Sequence, residues 1–260
     1  MGGNTEKSTI VTAFVFDFET GGLKCQENAA TQISMHAVRL DTFEVMETYN
    51  SYITPYRYQE SAGKAAKKVL RSKFDKEEAP LMVYTDKALD VSAITMDMLY
   101  ARGSELDIVC DEIMEFIQRN TFNVGKSNLP ILVGQNVLFD IGFLQQIFVY
   151  TRKWEKLSKL IRGHVDFWGN FQPYYIDTIE LCQLAFNHDR SVSSYKLELE
   201  AEMLGIELDD AHDADADVTA TREILQTLTK RMRSDGGGDT VGSSCLVQNK
   251  KTKLRDHFKI

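Results

Sequence analysis

Long apolar runs are missing from this 260-residue chain. No stretch approaches the ~18 residues that a membrane-spanning helix needs, so no transmembrane helix is expected. Cysteine is sparse and scattered: Cys25, Cys110, Cys182 and Cys245 form no CxxC pair, which argues against both a zinc site and a disulfide framework. A cytoplasmic, reducing compartment is therefore the expectation. The opening MGGNTEKST lacks the apolar stretch of a signal peptide, and Glu6 stands where a myristoylation signal needs Ser or Thr. No internal repeat is visible. Positive charge is also short, with 30 Lys and Arg against 38 Asp and Glu, a net −8. The deficit is uneven. Residues 231–260 carry seven positive and three negative side chains, whereas residues 1–230 carry 23 and 35, a net −12. Such a body meets polyanions only through local patches, and its clustered acids point towards metal binding.

What is present is ordinary for a folded chain. Hydrophobic residues make up 43% and charged residues 26%, which excludes wholesale disorder. The length suits one large domain, or one domain with appendages. The segment IVTAFVFDFET (10–20), β-branched and aromatic and ended by Gly21-Gly22, reads as a buried strand. QISMHAVRL (32–40) and VMETYNSYI (45–53) read as two more strands of a meander. Residues 106–118 have apolar side chains at helical spacing. PILVGQN (130–136) reads as a short strand leading into the helix VLFDIGFLQQIFVY, with Asn136 as the N-cap candidate. PYYID (173–177) reads as a strand running into the helix TIELCQLAF, and further helices are expected over 194–205 and 216–232. This order predicts an α/β fold with a mixed central sheet flanked by helices. The expected domain organisation is a disordered N-terminus (1–9), one folded domain (10–232) with a basic helical insertion near 56–87, and a flexible linker with a basic tail (233–260).

The acids then become informative. Asp17 and Glu19 are two apart on a strand, so both project from one face while Phe18 points to the other. Two carboxylates forced together repel, and a divalent cation between them relieves the repulsion. Asp140 falls in the first turn of the helix after a short strand, and Asp217 opens the last helix in AHDADADVTATREIL. His212 precedes Asp217 by five residues, on a loop. Strand ends and helix starts are where α/β folds gather active-site groups. Asp213 and Asp215 read as mostly solvated acids beside this motif.

These residues carry a resemblance. VFDFETGGL (15–23), VGQNVLFDIGFL (133–144) and HDADADVTAT (212–221) resemble the three ordered motifs of the DEDD-type 3′–5′ exonucleases of the His-bearing (DEDDh) subclass. That group includes the proofreading epsilon subunit of bacterial DNA polymerase III. VSAITMDML (91–99), IDTIELCQLAF (176–186) and YKLELEAEMLGI (195–206) are secondary matches, and the resemblance spans about residues 10–230. It implies an RNase H-like exonuclease fold and two Mg²⁺ or Mn²⁺ ions, with Asp17 bridging both. Glu19 and Asp217 would complete the first metal site and Asp140 would hold the second, with His212 as the general base. It also implies that Thr20 cradles the terminal nucleotide and that Leu23 wedges against the last bases, the alternative for Leu23 being an ordinary turn hydrophobe, and offers Asn136 and Phe143 as further substrate contacts. Two departures stand out: Gln135 where many relatives have His, and Ser92-Ala93 in place of a frequent His-Gly pair.

The implied activity is metal-dependent hydrolysis at the 3′ end of single-stranded or frayed DNA, releasing nucleoside 5′-monophosphates, in proofreading or repair. Trimming of RNA ends is the nearest alternative. A catalytically idle nucleic-acid-binding replisome subunit is the other. Three patches bear on the substrate. Lys64, Lys67, Lys68 and Arg71 form one helical stripe, which is either a phosphate-tracking surface or a solvated face. Phe167, Trp168, Phe171, Tyr174 and Tyr175 precede the IDT strand, for packing, as a lid or for stacking on unpaired bases. Leu254 and Phe258, with Ile260, resemble a peptide that docks on a polymerase or sliding clamp, the bland alternative being an unengaged basic tail.

Overall fold

The apolar run after residue 10 forms the central strand β1 (Thr12–Thr20), and the other strands are laid against it. The computed structural model describes residues 11–59, 79–122, 128–207 and 213–234. β2 (Ala30–Arg39) and β3 (Val45–Tyr52) complete an antiparallel meander. Three helices follow: α1 (Asp86–Val91), α2 (Met96–Arg102) and α3 (Leu106–Arg119). β4 (Ile131–Gly134) then runs parallel to β1 and feeds α4 (Val137–Tyr150). A short α5 (Trp154–Leu157) leads to β5 (Gly163–Val165) and β6 (Phe171–Pro173), which pair only with each other. β7 (Tyr175–Asp177) returns to the main sheet beside β4, and α6 (Thr178–Phe186), α7 (Leu197–Leu204) and α8 (Ala214–Ser234) close the described chain. Among the described residues the main sheet is five-stranded and mixed, in the order β3-β2-β1-β4-β7, with β2 antiparallel to its neighbours. This is the helix-flanked, RNase H-like arrangement that the resemblance implies.

Alternation along β1 sorts its side chains between two layers. Phe14, Phe16 and Phe18 point into the larger core with Ile113 and Phe116 of α3 and Val137, Leu144 and Ile147 of α4. Each such fully buried side chain contributes about 1.5–3 kcal/mol. Ala13 and Val15 point the other way, into a cluster with Val133 and with Val218 and Leu225 of α8. Asp17 and Glu19 continue this second row, so α8 is the helix laid over them.

The structure refines several expectations. The strand expected over 173–177 is divided at Tyr174, whose N–H donates to Arg162 and whose carbonyl accepts from Leu132. Residues before it therefore pair with β5 and residues after it with β4. α1 and α2 did not stand out in the hydrophobic pattern, because each is a turn or two long with one buried apolar side chain, Leu89 and Leu99. Ala93, between them, has φ 51°, a left-handed conformation that glycine adopts with less strain. The middle of the 56–87 insertion lies outside the described residues, as do Lys64, Lys67, Lys68 and Arg71. Its two ends are pinned together, Tyr58 donating to the Pro80 carbonyl at 2.9 Å and Met82 to that of Tyr56 at 3.0 Å. The tail with Leu254 and Phe258 also lies outside them. No described helix is long and apolar enough to cross a membrane.

One buried acid is costly. Glu200 on α7 is fully buried, and neither carboxylate oxygen has a hydrogen-bond partner among the described residues. Burial pushes its pKa up to about 7, with Asp177 adding repulsion and the nearby Cys182 thiol opposing the shift. The folded chain thus holds a proton that the unfolded chain has released. Stability from this group is full below the ordinary glutamate range and declines as pH rises towards 7. Glu200→Gln should gain on the parent chain between pH 5 and 8, by on the order of 1–3 kcal/mol, in urea unfolding at the two pH values. A constant difference would show that Glu200 ionises freely.

Candidate active site

Asp17 and Glu19 sit at the exit of β1, where the β1–β2 register shifts between Glu19 and Thr20. Such irregularities re-aim side chains at the ends of strands. β1 pairs with β4 only as far as Val15, because after Gly134 the chain turns away into α4. Asp140, in the first turn of α4, supplies the acceptor that β4 no longer provides: its Oδ1 takes the Phe18 N–H at 3.0 Å. Asp140 is thereby bonded to the backbone between Asp17 and Glu19. From the opposite layer α8 brings Asp217. Ligand oxygens of Asp17, Glu19 and Asp217 all lie within 4.8 Å of one another.

This arrangement is electrostatically unfavourable when empty of cations. Burial raises the Asp17 carboxyl well above the usual range, and Asp140, Glu19 and Asp217 add repulsion. Asp140 is also raised, by burial first, with the Phe18 N–H partly offsetting it. Burial and then Asp217 and Asp213 push Glu19 to about 7. An all-oxygen, anionic donor set of this kind suits a hard divalent cation such as Mg²⁺ or Mn²⁺. The residues present therefore fit the metal that the resemblance implies.

Beyond Glu19 a groove of about 640 Å³ is lined by Thr20, Gly22, Leu23, Asn28, Val83 and Thr85, among others. Thr20 is buried and donates to the Gly22 carbonyl, whereas Leu23 is 85% exposed at the rim. The far wall comes close because of Gly21, where an added Cβ would stand 2.7 Å from the Val83 carbonyl oxygen. Of the other expected residues, Asn136 is exposed beside Asp140, while Phe143 is fully buried in the core against Phe139 and has no surface to offer a substrate. His212 lies outside the described residues. Gln135 spans from the end of β4 to the carbonyl of Tyr195.

Two acids escaped sequence reasoning. Asn136 occupies the N-cap position of α4, but it is left-handed (φ 53°) and its side chain makes no capping bond. The cap comes from Asp177 at the end of β7, whose carboxylate accepts from Asn136 N–H and Val137 N–H at 3.1 Å each. The same carboxylate accepts from Ile179 N–H at 3.0 Å and so caps α6 as well. Its place just before a helical run was a visible cap signal, but the second helix it serves was not. Asp215, expected to be solvated, accepts from Ser34 Oγ and faces His36 Nε2, both at 3.0 Å. These two β2 side chains fasten the first turn of α8, two residues before Asp217. Burial lowers the His36 pKa, against a smaller opposing effect of Asp215, which favours the neutral ring.

Fold and site together define a class: an RNase H-like domain with a carboxylate cluster able to hold a divalent cation. The profile of the exonuclease family RNase_T matches residues 66–225, and the chain belongs to that family of nucleases. The match includes Asp140 and Asp217; the fold adds Asp17 and Glu19 from before it. The chain is 26% identical over 221 residues to the DNA polymerase III PolC-type of Clostridium perfringens, covering 85% of itself and 11% of that relative. It is 28% identical over 217 residues to the 3′–5′ exonuclease DinG of Staphylococcus epidermidis, covering 83% of itself and 18% of DinG. Among solved structures it resembles Escherichia coli exonuclease I in complex with a dT13 oligonucleotide, at 20% identity and TM-score 0.55, over 86% of this chain and 42% of that one. Exonuclease I of Methylocaldum szegediense is similar at 19% identity and TM-score 0.56, over 87% and 41%. The chain thus spans a small part of these curated relatives and under half of these structures. Its likeness is to the DEDDh family as a whole rather than to the epsilon subunit in particular.

Asp177→Ala should remove the acceptor of three backbone N–H groups, costing about 1–3 kcal/mol in urea unfolding. It should also weaken Mn²⁺ binding in calorimetric titration, through a less firmly held Asp140. Unchanged Mn²⁺ affinity in a destabilised variant would confine Asp177 to a structural role.

Proposed function

We propose that the chain is a metal-dependent 3′–5′ exonuclease that hydrolyses the terminal phosphodiester bond of single-stranded or frayed DNA and releases nucleoside 5′-monophosphates. The observation that carries this reading is the convergence of Asp17, Glu19 and Asp217 within 4.8 Å, with Asp140 bonded to the strand between the first two. Family membership supports the reaction class, and the oligonucleotide held by the similar Escherichia coli exonuclease I supports the substrate class.

In this reading Asp17, Glu19 and Asp217 would hold one Mg²⁺ or Mn²⁺ ion, and Asp17 with Asp140 would hold a second. Bound there, such ions would lower the pKa of water and offset charge on the leaving 3′-oxygen. His212 would take the proton of the attacking water, as an imidazole does in general-base catalysis near neutral pH. Thr20 and Leu23, on the groove beyond Glu19, and Asn136, beside Asp140, take the terminal nucleotides. The catalytic unit spans residues 10–232. Proofreading and repair both fit such an activity.

The test is a denaturing-gel time course on 5′-labelled single strands of DNA and RNA, with Mg²⁺ or Mn²⁺ and a chelator control. A ladder shortening from the 3′ end is expected, lost on chelation, with the DNA and RNA arms giving the sugar preference. His212→Ala should lose roughly 10²–10⁴ in rate, and Asp17→Ala more. Near-normal turnover by Asp17→Ala would end the assignment, and binding without cleavage under every metal condition would favour an idle nucleic-acid-binding subunit.

A further inference from the structure

The hairpin β5–β6 presents aromatic side chains to solvent. Phe167 and Trp168 at its tip are 95% and 81% exposed. They meet edge to face at 6.0 Å and bury little of each other. The tip is held in shape by one residue. The Asp166 carboxylate accepts from Trp168 N–H at 2.9 Å, Asn170 N–H at 2.8 Å and Gln172 Nε2 at 3.1 Å. Gly169 takes the positive φ of 85° that the turn needs. The rings are therefore displayed on an ordered turn, at low entropic cost to whatever binds them.

The base of the hairpin continues the pattern. The His164 and Tyr174 rings stack at 5.4 Å and 30°, and the Arg162 guanidinium lies 6.0 Å from the Tyr174 centroid. Arg162 is exposed and has no carboxylate partner among the described residues. Between Arg162 and Tyr175 the only acid is Asp166, whose oxygens are engaged inside the turn. In a body of net −12 the hairpin's own outward side chains are a cation and a row of rings, and the exposed acid beside it, Glu155, is paired with Lys159 at 3.0 Å. A groove of about 580 Å³ joins it to α4, lined by His164, Gln172, Tyr174 and Tyr175 with Leu138 and Ile141. Leu138 is 60% exposed and shares the first helical turn with Asp140. The groove thus begins across one helix from the acidic site, a separation on the order of 10 Å.

We propose that the β5–β6 hairpin is a stacking platform for unpaired bases of a single-stranded nucleic acid, a few nucleotides from the end held at the acidic site. Exposed rings stack on any base, and the Arg162 cation meets the phosphates between them. The proposal rests on the nuclease reading for its direction, and the experiment separates the two. In a Trp154→Phe background Trp168 is the only indole, and its emission reports occupancy of the hairpin. Dodecathymidylate, with Ca²⁺ to limit turnover, should change that emission. Phe167→Ala/Trp168→Ala should bind dodecathymidylate about 5- to 100-fold more weakly by fluorescence anisotropy, with Trp168→Phe retaining most of the affinity. Hydrolysis of a dinucleotide, too short to reach the hairpin, should be unchanged in both. Equal affinity of the double alanine variant and the parent chain would overturn the platform. So would a variant whose only change is loss of self-association in sedimentation, which would give the hairpin to a second copy. Weakened binding by the variant, in a chain that hydrolyses no substrate, would retain the platform and overturn the exonuclease reading.

Discussion

Repulsion among Asp17, Glu19, Asp140 and Asp217 is the constraint on which the rest of the site depends. Carboxylates this close and this buried would protonate or move apart if their backbones allowed it. Each is therefore placed where the backbone has little freedom. Asp17 and Glu19 occupy the same-face row of the central strand, Asp140 is bonded to the Phe18 N–H, and Asp217 lies on a helix packed along that strand. The charge that destabilises the empty site is the charge that selects a divalent cation.

Holding that geometry needs braces outside the donor set, and they are acidic too. Asp177 ties the starts of α4 and α6 to the end of β7, so that Asp140 is aimed by a carboxylate from another strand. Asp215 is gripped by Ser34 and His36, so that α8 enters over β2 at one position. Asp17 pairs with Ser34 across the β1–β2 ladder. One short stretch of β2 thus supports Asp17 through the sheet and Asp217 through the helix. A side chain can matter to the acidic cluster without touching it.

The legible parts of the sequence were those with long apolar periodicity. β1, α3, α4 and α8 each carry enough buried surface to dictate their own conformation, and the three acidic motifs fall on or beside them in readable places. α1 and α2 were not read, although Thr85 and Thr95 cap them with an acid in each first turn, because caps alone are weak signals without an apolar stripe. The division at Tyr174 depends on Arg162 and Leu132, which lie 12 and 42 positions away in sequence, so no local pattern encodes it. Asp177 and Asp215 were hidden for the same reason. Phe143 was misjudged because motif membership says nothing about which side of a helix faces the core.

The acidity of the body bears on how a polyanion is held. Lys and Arg grips draw their strength from counterion release and work best on a basic surface. Residues 1–230 carry twelve more acids than bases, and the clustered Asp17, Glu19, Asp140 and Asp217 add a locally negative centre. Contacts that do not depend on net charge are better suited to such a surface: apolar rims such as Leu23 and exposed rings such as Phe167 and Trp168. Base stacking tolerates any sequence because every base has a π-face. On the proposed reading, a strand held by its bases at the hairpin and by its end at the acids needs no basic surface between them. In a body of this charge, exposed aromatic side chains such as Phe167 and Trp168 are the contacts that the proposed platform would use.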